Sequence, residues 1–131
     1  MKSTCLAVLG ILAAIPAFAH HTVAKTFDIS KLVVLTGTVT SVEWMNPHAI
    51  YHLAVIDANG VAVNWEIESR HLEGMRLDGI QSDTIKVGDL ITMKVMLAQD
   101  GSHRAATASV VLSDGRIVNI CTVTYNACPP E

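Results

Sequence analysis

The sequence predicts an all-β protein: a small, five- to six-stranded OB-like Greek-key barrel with one short helix between strands three and four. Three observations carry this. Apolar residues recur mostly with period two from residue 33 onward. The pairs Asn59-Gly60, Asp100-Gly101 and Asp114-Gly115 break that pattern at short-strand intervals, as hairpin turns do. The single helical stretch follows the third strand, the place it takes in an OB-fold. A plain antiparallel sandwich is the competing architecture. A long, bulged first strand favours the barrel, because it can serve both sheets at the barrel corner.

Each element has its own warrant. In residues 33–44, Leu35, Gly37 and Val39 share one phase and Val42 and Trp44 the other, and such a switch within a strand implies a bulge. Residues 49–57 are apolar on both faces. Ala58-Asn59-Gly60 then turns the chain into Val61, Val63, Trp65 and Ile67, which alternate with Ala62, Asn64, Glu66 and Glu68, so these segments form a hairpin. Ser69 is placed to cap a short helix in which Leu72 and Met75 share a face, although Gly74 weakens it. Val87-Gly88-Asp89 opens a fourth strand with Ile91, Met93 and Val95 on one side. The two Asp-Gly turns lead into strands over 104–112 and 117–123.

Composition narrows the function. Half of the 131 residues are hydrophobic and 16% are charged, which suits one folded domain and not a disordered chain. With 9 basic against 12 acidic side chains the net charge is −3, so the positive face that nucleic-acid binding needs is missing. Met1 and Lys2 precede an apolar run over 5–19 that ends in Pro16 and Ala17-Phe18-Ala19, with small residues where a signal peptidase reads them. A secretory signal peptide cut after Ala19 is expected, hence a periplasmic or secreted protein. A buried N-terminal strand or helix is the competing reading. The run is too short to span a bilayer, and no membrane span is expected in the mature chain.

The expected organisation is therefore a signal peptide (1–19), an N-terminal arm (20–32), a barrel (33–120) and a C-terminal tail (121–131). Cleavage removes Cys5 and leaves Cys121 and Cys128, which enclose a loop of 8 residues counted inclusively. In an oxidising compartment this pair reads as a disulfide pinning the tail, worth about 2.5 kcal/mol in the chain-entropy model. A thiolate metal site is the alternative, but it wants a Cys-x-x-Cys or nearby histidines.

No nucleophile elbow, phosphate loop, redox Cys-x-x-Cys or His-Glu-x-x-His helix is present, so no catalytic residue is assigned. Glu66 and Glu68, two apart on an alternating strand, read as a solvated face. Histidine carries the signal, with six residues, all after residue 19. Cleavage after Ala19 would leave His20 with a free α-amine, and amine plus imidazole form a chelate that suits Cu(II). His20 and His21, with His48 from Trp44-Met45-Asn46-Pro47-His48 and His103 from Gln99-Asp100-Gly101-Ser102-His103, are the metal candidates. The last two lie in turns that rim the ligand face of an OB barrel and are expected to converge there. His52 reads as half-buried within a strand, His71 as a surface residue opening the helix, and Trp44 and Trp65 as core.

The stretches His20-His21-Thr22-Val23, Phe27-Asp28, Leu35-Thr36-Gly37-Thr38-Val39, Glu43 to His48, Asn64-Trp65-Glu66, Lys86-Val87-Gly88-Asp89 and Asp100-Gly101-Ser102 together resemble a family of small exported bacterial proteins of unknown function. Its members begin the mature chain with His-His-Ser-Phe and carry a Trp-x-Asn-Pro-His turn. Thr22-Val23 replaces Ser-Phe here, and the tail with Cys121 and Cys128 looks like an addition. The resemblance implies an exported OB-like module and no particular activity. Two functions stay open: a periplasmic module that binds copper, its one candidate cofactor, and a non-metal module that offers its barrel rim to a protein or small-molecule partner. An enzyme is the less favoured class.

Overall fold

A computed structural model describes residues 23–122; the expected signal peptide, His20, His21 and Cys128 lie outside that range. The chain runs α1 (Val23–Thr26), β1 (Val33–Glu43), β2 (Ile50–Ile56), β3 (Ala62–Glu68), α2 (Leu72–Leu77), β4 (Leu90–Leu97), β5 (Arg104–Val111) and β6 (Ile117–Asn119). The strand order is β3-β2-β1-β4-β5-β6, all antiparallel neighbours, and a parallel pairing of β3 with β5 closes the first five strands into a barrel. β6 is an added strand on β5. This is the expected small all-β Greek-key barrel, with α2 between β3 and β4.

β1 makes the closure possible because it pairs on both edges, Gly37–Glu43 with β2 and Val33–Thr38 with β4. Its register shifts between Val39 and Ser41, the bulge that the phase switch implies. Gly37 stands where both pairings overlap, opposite Val55 and Ile91. A Cβ there would lie 2.7 Å from the Ala54 carbonyl oxygen and 2.9 Å from Val55 Cγ2, so the strand can bend through this crossing only without a side chain.

The barrel interior is filled from every strand of the closed sheet: Leu35 and Val39, Tyr51 and Leu53, Ile67, Ile91, Met93 and Val95, then Ala105 and Val110. Met75 from α2, Ile80 and Ile85 belong to the same buried cluster. Each such aliphatic side chain contributes about 1.5–3 kcal/mol by leaving water. A second cluster, Phe27, Met96, Ala98 and Ala106, lies with the arm residues Val23, Ile29 and Leu32 packed against it. Residues 95–96 and 105–106 are therefore buried in consecutive pairs. The barrel core takes one member of each pair and the arm covers the other.

Two local expectations are corrected. Ser69 does not cap α2: the cap position is His71, without a side-chain cap, and the buried Ser69 hydroxyl donates instead to Met75 Sδ at 3.3 Å. The last strand is Ile117–Asn119 and does not run to 123: beyond Asn119 the regular register with β5 ends, although the Ile120 and Thr122 N–H groups still donate to Ala108 and Thr107 and the Thr122 hydroxyl reaches Glu68.

Replacing Gly37 with Ala is expected to destabilise the protein by about 1–3 kcal/mol, the usual cost of overpacking against backbone. Chemical denaturation followed by tryptophan fluorescence measures it, and an unchanged midpoint would mean that β1 does not bend as described.

Candidate functional site

The site is built from the turn at residues 98–103, the turn at 44–49, and the β3 strand that runs between them. In the first turn Gly101 takes φ 77°, and the Asp100 carboxylate accepts the Ser102 hydroxyl at 2.6 Å and the Ser102 amide at 2.9 Å. Those bonds hold the Asp100 carboxyl below the usual carboxylate range, the hydroxyl contributing most. Gln99 fastens the arm to this turn. Its side-chain amide donates to the carbonyl oxygens of Ala24 and Phe27 at 3.0 and 3.1 Å, and its backbone N–H donates to Thr26. Phe27 also bridges to Ala98, and the Asp28 N–H donates to the Leu97 carbonyl.

His103 ends the turn. Its carbonyl accepts the Glu66 N–H at 3.0 Å, and its exposed ring packs against Trp65 with centroids 5.1 Å apart and planes at 55°. Arg104 follows and donates from Nε to Glu66 Oε1 at 3.1 Å across the parallel β3–β5 pair. Beyond it, the Thr107 and Thr122 hydroxyls both donate to the Glu68 carbonyl, at 3.1 and 3.0 Å.

The 44–49 turn is tied to the chain that follows β3. Asn46 Oδ1 accepts the Leu72 N–H, the Ala49 N–H donates to Arg70, and the Ala49 carbonyl accepts the Ser69 N–H. Between these ties, His48 Nδ1 lies 2.6 Å from Glu68 Oε1, with 39% of the histidine side chain exposed. His52, half-buried on β2, donates from Nε2 to Glu43 at 2.8 Å. A carboxylate can only accept, so a neutral His52 ring carries its proton on Nε2, and a neutral His48 ring that faces Glu68 through Nδ1 carries it there.

Three expectations meet these observations. His52, His71 and Trp65 stand where they were expected: half-buried on a strand, exposed at the start of α2, and packed on the core. Glu66 and Glu68 are not a plain solvated face, since each is paired, with Arg104 and His48. The two turn histidines do not converge. His103 touches Trp65 and His48 touches Glu68, three residues apart on β3 and on opposite strand faces, about 10 Å along the strand. Among the described residues no three His, Cys, Asp or Glu side chains come together as a metal-binding group. His20 and His21, the other candidates, lie outside the described residues, as does Cys128. Cys121 packs against the arm cluster. Among the described residues no helix is long and apolar enough to cross a membrane. Among the described residues, shallow grooves open to solvent along the arm by Asp28, Lys31 and Gln99 and between Leu77 and Ile117.

Residues 9–107 match the family of unknown function DUF6152. The chain belongs to this family. No curated protein and no solved structure matches it. The DUF6152 span takes in the arm, both turns and the closing β3–β5 pair, and it stops at Thr107, before β6 and Cys121.

At pH 8, ring nitrogen NMR is expected to show His48 with its proton on Nδ1 and His52 with its proton on Nε2. The same tautomer at both positions would contradict the two carboxylate pairings.

Proposed function

We propose that this protein is an exported, periplasmic OB-like module that binds copper through the mature N-terminus at His20, with His103 as the outlying imidazole and His21 as a neighbouring one. The observation that supports this most is the Gln99 clamp. It fixes Ala24 and Phe27 to the 98–103 turn, and three residues before Val23 can span at most about 10 Å, so His20 begins within reach of the turn that ends in the exposed His103. A nitrogen-rich donor set of amine and imidazoles favours Cu(II) among the divalent first-row ions. Reference pKa values of about 7.7–8.0 for an α-amine and about 6.5 for imidazole let the metal displace their protons near neutral pH at small cost.

The same reading takes cleavage after Ala19 as the source of the free amine and pairs Cys121 with Cys128 in the oxidising compartment. A second reading is kept by one observation: the Trp65–His103 ring pair lies on the strand and turn with which OB barrels meet their ligands. That arrangement suits a protein or small ligand at the rim without any metal.

Intact mass of exported protein is expected to show a chain starting at His20, two hydrogens lighter than the reduced form. Titrated without an affinity tag, this protein should bind one Cu(II) with nitrogen coupling in its electron paramagnetic resonance spectrum. A single Gly placed before His20, or His103→Ala, should weaken binding by about 10–100-fold or more, the scale on which even outer-shell groups count. His71→Ala should leave it unchanged. Affinity that ignores the added Gly would reject the N-terminal site and favour the non-metal module.

A further inference from the structure

We infer that the 44–49 turn is a second metal site, separate from the N-terminus, which holds Cu(I) through Met45 Sδ and His48 Nε2 while Glu68 orients the imidazole. The described histidines differ in what they offer a metal. His52 has committed Nε2 to Glu43, and among the described residues no carboxylate stands against the His103 ring, which lies on Trp65. His48 alone among them has its Nδ1 beside a carboxylate oxygen, at 2.6 Å, on a ring that is 39% exposed, so that in the neutral ring with its proton on Nδ1 the Nε2 lone pair is open to a metal. That is the arrangement of a metal-ligating histidine, whose second nitrogen is ordinarily held by a carboxylate that sets the tautomer and raises ligand basicity.

The orienting group stands on a rigid base. Glu68 pairs with Ile50 on one side and Ala106 on the other, and its carbonyl takes the Thr107 and Thr122 hydroxyls. The turn itself is tied down beside each donor, at Asn46 next to Met45 and at Ala49 next to His48. Ligands preset in this way need little ordering when the ion binds.

The donor types select the ion. Met45 is 54% exposed, whereas Met75, Met93 and Met96 are fully buried. Single exposed apolar residues are ordinary on protein surfaces, so exposure alone carries no weight. A thioether and an oriented imidazole that bracket one short bend are a different matter. Glu68 is occupied at His48 Nδ1, so both remaining donors are neutral and one is soft. Such a pair favours Cu(I) over Zn(II) or Mg(II), which prefer harder or anionic ligands. The ion is held in its +1 state, and no electron transfer is involved.

The test uses the full mature chain with a Gly before His20, which removes the N-terminal chelate, so failure of that site does not affect the outcome. Anaerobic titration with Cu(I) against a competing chromophoric chelator should give one equivalent. Of the methionine methyl resonances, that of Met45 should move. Met45→Leu and His48→Ala should each abolish one-equivalent binding. Glu68→Gln should weaken it about tenfold with the melting temperature unchanged, as expected of an outer-shell partner. A Met45 methyl unmoved by one equivalent of Cu(I), or full affinity in Met45→Leu or His48→Ala, overturns the site. Unchanged affinity in Glu68→Gln overturns the role given to that carboxylate.

Discussion

The short parallel pairing of β3 with β5 is the constraint on which the rest of the molecule depends. Only Glu66, Ile67 and Glu68 meet Arg104, Ala105 and Ala106, yet these three residue pairs convert an open meander into a closed barrel. Parallel pairs are slightly weaker per residue than antiparallel ones, and this one is short, so side chains reinforce it. Glu66 and Arg104 face each other across the seam as an ion pair. Two threonine hydroxyls converge on the Glu68 carbonyl where β3 ends and β6 takes over the edge of β5. The ion pair is about 40% exposed on both sides and adds little to stability, so backbone register and the threonines hold the closure.

Closure has two consequences for chemistry. It sets the 98–103 turn against the middle of β3, so that His103 rests on Trp65, and it fixes Glu68 beneath the 44–49 turn, where its carboxylate takes His48. The arm adds a third layer over β4 and β5, and Phe27 and Met96 are buried by it as fully as any barrel residue. Such a cover fixes the direction in which the chain enters the fold. Thus the seam leaves the two histidine-bearing turns in two separate places and not in one.

Much of the barrel was legible in the sequence because its signals are local. Alternation marks β3, Asn59-Gly60 and the two Asp-Gly pairs mark the turns, and the change of phase after Val39 marks the bulge. What was illegible depends on partners far along the chain. Glu66 reads as a solvated residue until Arg104, 38 positions later, is brought beside it by the seam. Ser69 has the composition of a helix cap, but tertiary packing turns its hydroxyl inward to Met75. His48 and His103 were placed on one rim by the correct topology, yet neighbouring residues on a strand point to opposite faces, and their contacts on β3 fall on opposite sides. Periodicity could have shown that Trp65 and Glu68 differ in face, but nothing local names which of them each histidine meets.

The most direct measurement is paramagnetic broadening of backbone amide resonances when a small fraction of an equivalent of Cu(II) is added to the mature protein. If the arm delivers the N-terminal amine to the 98–103 turn, the amides of Ala24, Lys25 and Gly101 to His103 lose intensity first. The Asp114-Gly115 turn at the far end of β5, about 25 Å along an eight-residue strand, stays sharp. Broadening that is uniform, or centred on any segment other than the arm and that turn, would contradict the placement of copper at the mature N-terminus.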